Sequence, residues 1–311
     1  MSDTPSIIDK NKDAIIFTDA MNSDAPASHS SCGISGPGSQ PGESDGAELD
    51  ILQLPSGMTT FEAPILPEPE DVSHLGDAVR CLEDLLEKMG KWAPGSANIE
   101  VSVQTLDPAN RELVDQVMGE GEVSILFGGD GHIRIQESVL CGVWRIQNFN
   151  SAGEMTSDNI EVGPIPSLVQ HRTFATAAER VNEDTDSGLP DGVINAPPLL
   201  AEINEVLEEF DPQMPTHTIN LTLLPQTEQD LMFLDSRLGL GNTTILSRGY
   251  GNCRITSTGT KNVWWVRYFN SQDKNILNSI EICLTPEAAC AAAEDIEDST
   301  VRLAEILEIY Q

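Results

Sequence analysis

The pattern of apolar and polar positions divides the chain near residue 70. Residues 22–46 are rich in Ser, Gly, Pro, Ala and Asp, and their few apolar residues follow no helical or strand period. A segment of this composition buries too little apolar surface to offset the entropy lost on ordering. We therefore predict a disordered acidic tail over residues 1–70 and folded structure over the rest of the chain.

An amphipathic helix is predicted at the start of each of two folded units. Apolar side chains recur at helical spacing over residues 75–89, and Gly90 stands where a helix end is expected. A second apolar stripe runs over about residues 198–210. The composition of residues 182–197 is typical of a linker. The predicted units are therefore residues 71–181 and 198–311.

The two units carry the same sequence pattern. Residues 99–166 align with residues 219–286 without a gap, at a constant offset of 120 residues. Identical residues at matched positions include Gly119 and Gly239, Arg134 and Arg254, and Trp144 and Trp264. Self-similarity at a fixed period indicates a repeated supersecondary unit. We predict an α+β fold made of two tandem copies related by a pseudo-twofold axis.

Each copy is predicted to form a small antiparallel sheet flanked by helices. An alternating strand begins at Ile99 or Ile219, a helix follows, and three or four strands come next. A closing helix is predicted over about residues 167–181 in the first copy, and from Thr285 to Tyr310 in the second. The matched residues Trp144 and Trp264 are predicted core residues, because large aromatic side chains dominate core burial.

The charge of the chain excludes two classes of partner. Its formal net charge is −33, from 50 acidic and 17 basic residues. Nucleic acids and anionic membranes both require clustered Lys and Arg, so neither is an expected partner. The sequence contains neither a secretory signal pattern nor an apolar run of the roughly 20 residues that span a membrane. We expect a cytoplasmic protein that does not insert into membranes.

Four residues of the second copy are candidates for partner binding. Trp265 and Tyr268 have no aromatic counterpart, since the first copy has Arg145 and Asn148 at those positions. Adjacent residues on a strand point to opposite faces, so Trp265 leaves the face that Trp264 occupies. Trp265 either packs under a helix or serves as an exposed anchor. The other two candidates are the strand arginines Arg254 and Arg267.

Arg254 and its counterpart Arg134 also have a structural interpretation. Each arginine could form an ion pair with a nearby carboxylate, for which Glu281 and Glu161 are the candidates. Recognition of a ligand by the planar guanidinium is the alternative.

Metal binding and catalysis have little support in the sequence. The six cysteines are single and scattered, with no CxxC pair. Cys253, Cys283 and Cys290 are the weak metal-ligand candidates, and the alternative for each is a small buried side chain. No nucleophile, base and orienting group stand out, so we assign no catalytic residue and expect neither a cofactor nor enzymatic activity.

Two long motifs resemble the HupH/HyaF family, which is also called HoxQ. The second half of the family's sequence is resembled by two runs, Gly249 to Thr258 and Asn262 to Gln272. The first half is resembled by the shorter runs Gln136-Glu137-Ser138 and Gly142-Val143-Trp144-Arg145. The likeness covers about residues 60–311. It implies an accessory protein in the maturation of [NiFe] hydrogenases, possessing no established catalytic residues.

The resemblance leaves two functions to distinguish. One is a chaperone that binds the small, iron–sulfur subunit precursor before twin-arginine export, together with other hydrogenase accessory proteins. The alternative is a metal or cluster carrier, or a factor in nickel incorporation into the large subunit. The first fits the residues better, because a chaperone requires a surface and no ligand set. An acidic chain also attracts the basic residues of a twin-arginine signal at long range.

Overall fold

The computed structural model describes Pro67, Val72 and residues 74–128, 132–186, 188–249 and 251–310. The tail predicted over residues 1–70 lies, apart from Pro67, outside the described residues. Among the described helices, none is both long and apolar enough to cross a membrane.

The first half of the structure alternates helices with antiparallel strands. Its elements are α1 (Gly76–Met89), β1 (Ile99–Ser102), α2 (Pro108–Met118), β2 (Val123–Phe127), β3 (Ile133–Glu137), β4 (Val143–Phe149), β5 (Met155–Val162) and α3 (Ser167–Arg172). Asp107 starts α2 by accepting a hydrogen bond from the Asn110 amide at 2.9 Å, and Pro108 occupies the first helical position. Both features satisfy the requirements of a helix N-terminus.

The second half contains the same series of elements. They are α4 (Ala196–Glu208), β6 (His217–Asn220), α5 (Glu228–Leu238), β7 (Leu240–Ser247), β8 (Asn252–Thr258), β9 (Val263–Phe269), β10 (Asn275–Ile282), a 3-10 turn (Glu287–Ala289) and α6 (Ala293–Ile309). Thr227 and Asp230 form a capping box at the start of α5. The bounds of α5, β9 and β10 equal those of α2, β4 and β5 shifted by the 120-residue offset.

The strands of both halves join into one ten-stranded antiparallel sheet, where the sequence predicted a small sheet in each copy. The order is β1-β5-β4-β3-β2-β7-β8-β9-β10-β6. The halves meet where β2 pairs with β7, and Ile125 lies opposite Ile245. These two residues occupy the same position in the two copies. The edge strands of the two halves, β2 and β7, therefore pair and join the half-sheets into one sheet.

Helices cover the two ends of one sheet face, which we call the front face. At the first end, α1, α2 and α6 enclose Val101, Val143 and Ile160. At the second end, α4 and α5 pack on Ile219, Trp265 and Ile280. Neither cluster contains a front-face residue of the central strands β2, β3, β7 and β8.

The opposite or back face carries a third core cluster. Trp144 and Trp264 are both 0% exposed there, which confirms the prediction that the matched tryptophans lie in the core. Their indole nitrogens donate to equivalent carbonyls, Trp144 to Gly163 at 2.8 Å and Trp264 to Cys283 at 3.3 Å. The segments that follow β5 and β10 cover this face through Val169 and neighbouring residues.

The two closing segments cross between the halves. Helix α6 belongs to the second copy, yet Ile296, Leu303 and Leu307 pack in the core of the first half. Ile296 fills the space beside Gly142, whose φ of +75° favours glycine. In return, Val181 of the first copy packs in the core of the second half.

This exchange corrects the predicted closing helices. In the first copy the helix ends at Arg172 and not near residue 181, because the chain turns over residues 173–176 and then reaches the second half. There Ala178 forms a bridge with Thr260. In the second copy Cys290 is extended, and the amide of Ala291 donates to Pro164 at 2.9 Å. The crossing thus breaks a stretch with high helix propensity.

Candidate functional site

The centre of the front face is the candidate functional surface, and we call it the central floor. It consists of the front-face side chains on the middle strands: Ser124, Leu126, Arg134, Gln136 and Gln147 from the first half, and Thr244, Leu246, Arg254, Thr256 and Arg267 from the second. Leu126 is 49% exposed. The floor lies between the two helical layers.

The central floor differs in charge from the rest of the chain. It contains three arginines and no carboxylate, although the chain has 50 acidic residues. A carboxylate approaching the floor therefore meets positive charge. An extended partner segment also meets two apolar residues, Leu126 and Leu246.

Arg254 and Arg267 lie directly opposite each other on β8 and β9. Burial lowers the pKa of Arg267; Asp235 opposes this shift, and Arg254 adds to it. Burial likewise lowers the pKa of Arg254. A guanidinium starts from a pKa above 12, so both side chains remain cationic. The structure therefore concentrates two like charges at one end of the floor.

Trp265 lies beside Arg267 on the same face of β9, and it is buried and not on the surface. Its side chain is 4% exposed and packs in the core formed by α4 and α5. The indole nitrogen donates to Asn278 Oδ1 at 2.5 Å, and the guanidinium carbon of Arg267 stands 4.6 Å from the ring centroid. Of the two alternatives from the sequence, the structure favours packing under a helix. Trp265 orients Arg267 through a cation–π contact.

Tyr268 is separated from the other three candidates, because it points to the back face. It is partly buried beside Cys253, which lies opposite it in the register of β8 and β9. Burial raises the pKa of both the Tyr268 hydroxyl and the Cys253 thiol. The structure thus brings together Trp265, Arg254 and Arg267 only.

The three cysteine candidates lie on the back face and favour the protonated thiol. Burial raises the pKa of Cys253, Cys283 and Cys290 to about 12 each. Burial therefore disfavours the thiolate, which is the form that ligates metals. Within the described residues, no group of three or more His, Cys, Asp or Glu side chains is arranged to hold a metal ion.

The ion pair that the sequence suggested between Arg134 and Glu161 does not form. Glu161 lies opposite Trp144 on the back face and accepts hydrogen bonds from Asn98 at 2.7 Å and from the Ser167 amide at 2.7 Å. Arg134 lies on the front face, with its guanidinium 4.8 Å from the Phe149 ring centroid. Strand alternation separates the two groups.

Two floor residues were missed by the sequence reasoning on partner binding. Arg134 was seen as a matched arginine but was not linked to Arg267, and Leu126 was not considered. The available signal was strand alternation, which places Arg134 and Leu126 on the face opposite the core residues Ile135 and Ile125. The order of the strands, which joins the two copies at β2 and β7, was not available from that signal.

Comparisons with known proteins identify the family. The model for the HupH hydrogenase expression protein, C-terminal conserved region, matches the chain twice, over residues 75–186 and 193–310. The hydrogenase expression/formation protein HoxQ of Cupriavidus necator is 45% identical over 275 residues, which cover 88% of this chain and 94% of that protein. HupH of Rhodobacter capsulatus is 45% identical over 273 residues, with the same coverage.

More distant relatives belong to the same group. The hydrogenase-1 operon protein HyaF of Escherichia coli is 32% identical over 279 residues, which cover 88% of this chain and 94% of that protein. The solved structure of the hydrogenase expression protein HupH from Thiobacillus denitrificans is 31% identical, with a TM-score of 0.34, and covers 37% of this chain and 94% of that chain. The chain therefore belongs to the HupH family of hydrogenase expression proteins, which confirms the resemblance seen in its sequence.

Proposed function

We propose that this protein is a hydrogenase assembly factor that binds a subunit precursor, namely the small iron–sulfur subunit before twin-arginine export. The observation that carries the proposal is the identity of 45% to HoxQ, a protein named for hydrogenase expression and formation. The role is binding and not catalysis, and it is carried out in the cytoplasm, where precursors are assembled before export.

The charge of the chain supports the choice of the small-subunit precursor. A formal net charge of −33 creates a long-range field that attracts basic segments. A twin-arginine signal is such a segment, so the field would speed encounter with a precursor that still carries its signal. Encounter through a field of this kind weakens as ionic strength rises.

The architecture supports a partner surface on the front face. We infer that the two halves are related by a pseudo-twofold axis that passes between Ile125 and Ile245, which pair at the junction of β2 and β7. The axis crosses the central floor, so each half contributes corresponding residues. Arg254 and Arg267 would contact the partner, and Trp265 would hold Arg267 in place through its ring. Tyr268 would contribute only if the partner also reaches the back face.

Affinity purification under anaerobic conditions tests the proposal. The tagged full chain is recovered from its native cytoplasm, and co-purifying proteins are identified by mass spectrometry. We expect the small-subunit precursor with its signal peptide attached. Arg267→Gln should reduce its recovery, whereas Arg80→Gln, an exposed helix residue of the same charge, should not.

Two other outcomes would reject the proposal. Recovery of the large subunit with nickel-insertion factors would favour the nickel-side role, and stoichiometric nickel in the purified protein would strengthen that conclusion. Recovery of no hydrogenase component would remove the proposed partner altogether.

A further inference from the structure

The chemical nature of the segment that the central floor binds follows from a difference between the two halves. In the first half, Arg145 is held by carboxylates, with Asp158 at 2.5 Å and Asp115 at 3.0 Å. In the second half, Trp265 and Asn278 replace Arg145 and Asp158, and the arginine stands two residues further along the strand, at Arg267. Its neighbour across the strands is Asn278, an amide.

Arg267 thus keeps its charge for the floor, while the charge of Arg145 is neutralised inside the core. Asp235 on α5 is the carboxylate whose charge acts on Arg267. The side chain next to Arg267 on β8 is Arg254, which adds positive charge. Partly desolvated guanidinium groups bind carboxylates by charge-assisted, often bidentate hydrogen bonds.

The geometry of the sheet sets the length of a matching segment. Arg134 lies on β3 and Arg267 on β9, four strand spacings apart, and the register offsets them by two residues. With spacings of about 4.8 Å between strands and about 3.4 Å per residue, their Cα atoms are roughly 20 Å apart. An extended peptide covers this distance with about six residues.

We propose that the central floor binds an extended peptide segment of the partner that carries carboxylates, one held by Arg267 with Arg254 and another by Arg134. The identity of the partner as a hydrogenase precursor rests on the proposed function, whereas the acidic character of the segment rests on the floor alone. The floor repels arginine side chains, so a twin-arginine signal does not bind there. The floor therefore recognises an acidic region of the mature precursor.

Peptide binding to the full chain tests this proposal. The probe is a fluorescently labelled ten-residue peptide with Glu at alternate positions, measured by anisotropy at physiological salt. Two matched peptides have Gln or Lys at the same positions. We expect the Glu peptide to bind most tightly. Arg267→Gln and Arg134→Gln should each weaken that binding about tenfold, the loss expected when a charge-assisted hydrogen bond is removed.

The control variant is Arg80→Gln, which removes the same charge from an exposed side chain on α1. We expect its affinity for the Glu peptide to match that of the unmodified chain, and all variants to keep the same melting temperature. Equal binding of the Glu and Gln peptides would overturn the proposal. An equal loss of affinity in Arg80→Gln would also overturn it. So would displacement of the labelled Glu peptide by the Lys peptide, or by a single-stranded oligonucleotide, at a lower concentration than the unlabelled Glu peptide requires.

The precursor pull-down separates this inference from the proposed function. If the unmodified chain binds the Glu peptide but recovers no precursor, the proposed function fails and the acidic specificity of the floor stands. If Arg267→Gln loses the Glu peptide but recovers the precursor in full, the floor is not the precursor's site and the inference about the partner segment is wrong.

Discussion

The two halves of the molecule fill the same position under their helices with different chemistry. The first half has the ion pair of Arg145 with Asp158, whose side chain is 1% exposed. The second half has the neutral pair of Trp265 with Asn278. Both pairs are joined by hydrogen bonds, and the strands that carry them have the same bounds in the two halves. The comparison teaches that this position requires a matched pair and not a particular residue.

The halves also cap their first helices differently. In the second half, Asp230 accepts hydrogen bonds from the amides of Ile194, Asn195 and Ala196 at the start of α4, at 2.8, 2.8 and 2.9 Å. The first half has Asn110 at this position, which accepts from the amide of Ala78 at 2.8 Å. A side-chain carboxylate therefore accepts the amide hydrogen bonds at the start of α4, and a side-chain amide oxygen accepts the one at the start of α1.

Separating the halves should have the largest effect. We expect residues 75–186 alone to give no cooperatively folded monomer, because α6 supplies Leu303 and Leu307 to the core of the first half. In the full chain, Leu303→Ala should cost about 2–5 kcal/mol of unfolding free energy in urea. The exposed Val301→Ala on the same helix should stay within about 0.5 kcal/mol. A dispersed amide NMR spectrum from the monomeric fragment would contradict this expectation.

Breaking the buried ion pair should have the next largest effect. Asp158→Asn leaves Arg145 in the core with Asp115 alone, and we expect a loss of about 3–5 kcal/mol in urea unfolding. The double variant Arg145→Trp with Asp158→Asn copies the second half and should recover most of that loss. If the double variant is as unstable as Asp158→Asn, the two pairs are not interchangeable.

The two helix caps should differ in their response to acid. Burial disfavours the charged form of Asp230, but its hydrogen bonds to the Thr227, Ile194 and Ala196 amides outweigh this and lower its pKa. A lowered folded-state pKa gives stability that is present above the unfolded value of about 3.9 and lost as pH falls through the folded value.

The variant that exposes this acid response is Asp230→Asn. At pH 7 this variant should lose about 1–3 kcal/mol of unfolding free energy. The asparagine amide group is a hydrogen-bond donor, and it would face the Thr227 donors that the carboxylate accepts from. The difference from the unmodified chain should shrink as unfolding is measured at pH values falling from 5 towards 3. Glu228→Gln, an exposed carboxylate in the same helical turn, is the control and should not reproduce the pH dependence. A difference that stays constant with pH would show that the charge of Asp230 does not contribute.

The last predicted contrast concerns one matched position with opposite burial, where the variant at the exposed residue should have almost no effect. Val103 is 0% exposed, whereas Leu223 in the second half is 80% exposed. Val103→Ala should lower the unfolding free energy by about 2 kcal/mol, because less apolar surface is buried. Leu223→Ala should change stability by less than about 0.5 kcal/mol. Equal losses for the two variants in urea unfolding would mean that Leu223 is covered in solution.

Much of the local structure was predictable from the sequence, for identifiable reasons. The gapless offset between the copies gave matching helices and strands, and the matched Trp144 and Trp264 gave two core positions. The candidate site was only partly predictable. Arg254 and Arg267 were selected, but Tyr268 lies on the other face and Trp265 lies beneath the surface.

The sequence by itself determined the repeated unit, its α+β character, the charge and the family. These properties depend on residue type and on spacing along the chain, which are both local. Only the tertiary structure decided that β2 pairs with β7, that α6 crosses to the first half, and that Arg134 shares a surface with Arg254 and Arg267. These outcomes depend on contacts between residues more than 100 positions apart, where the free energy comes from joint burial of surfaces that no local pattern specifies.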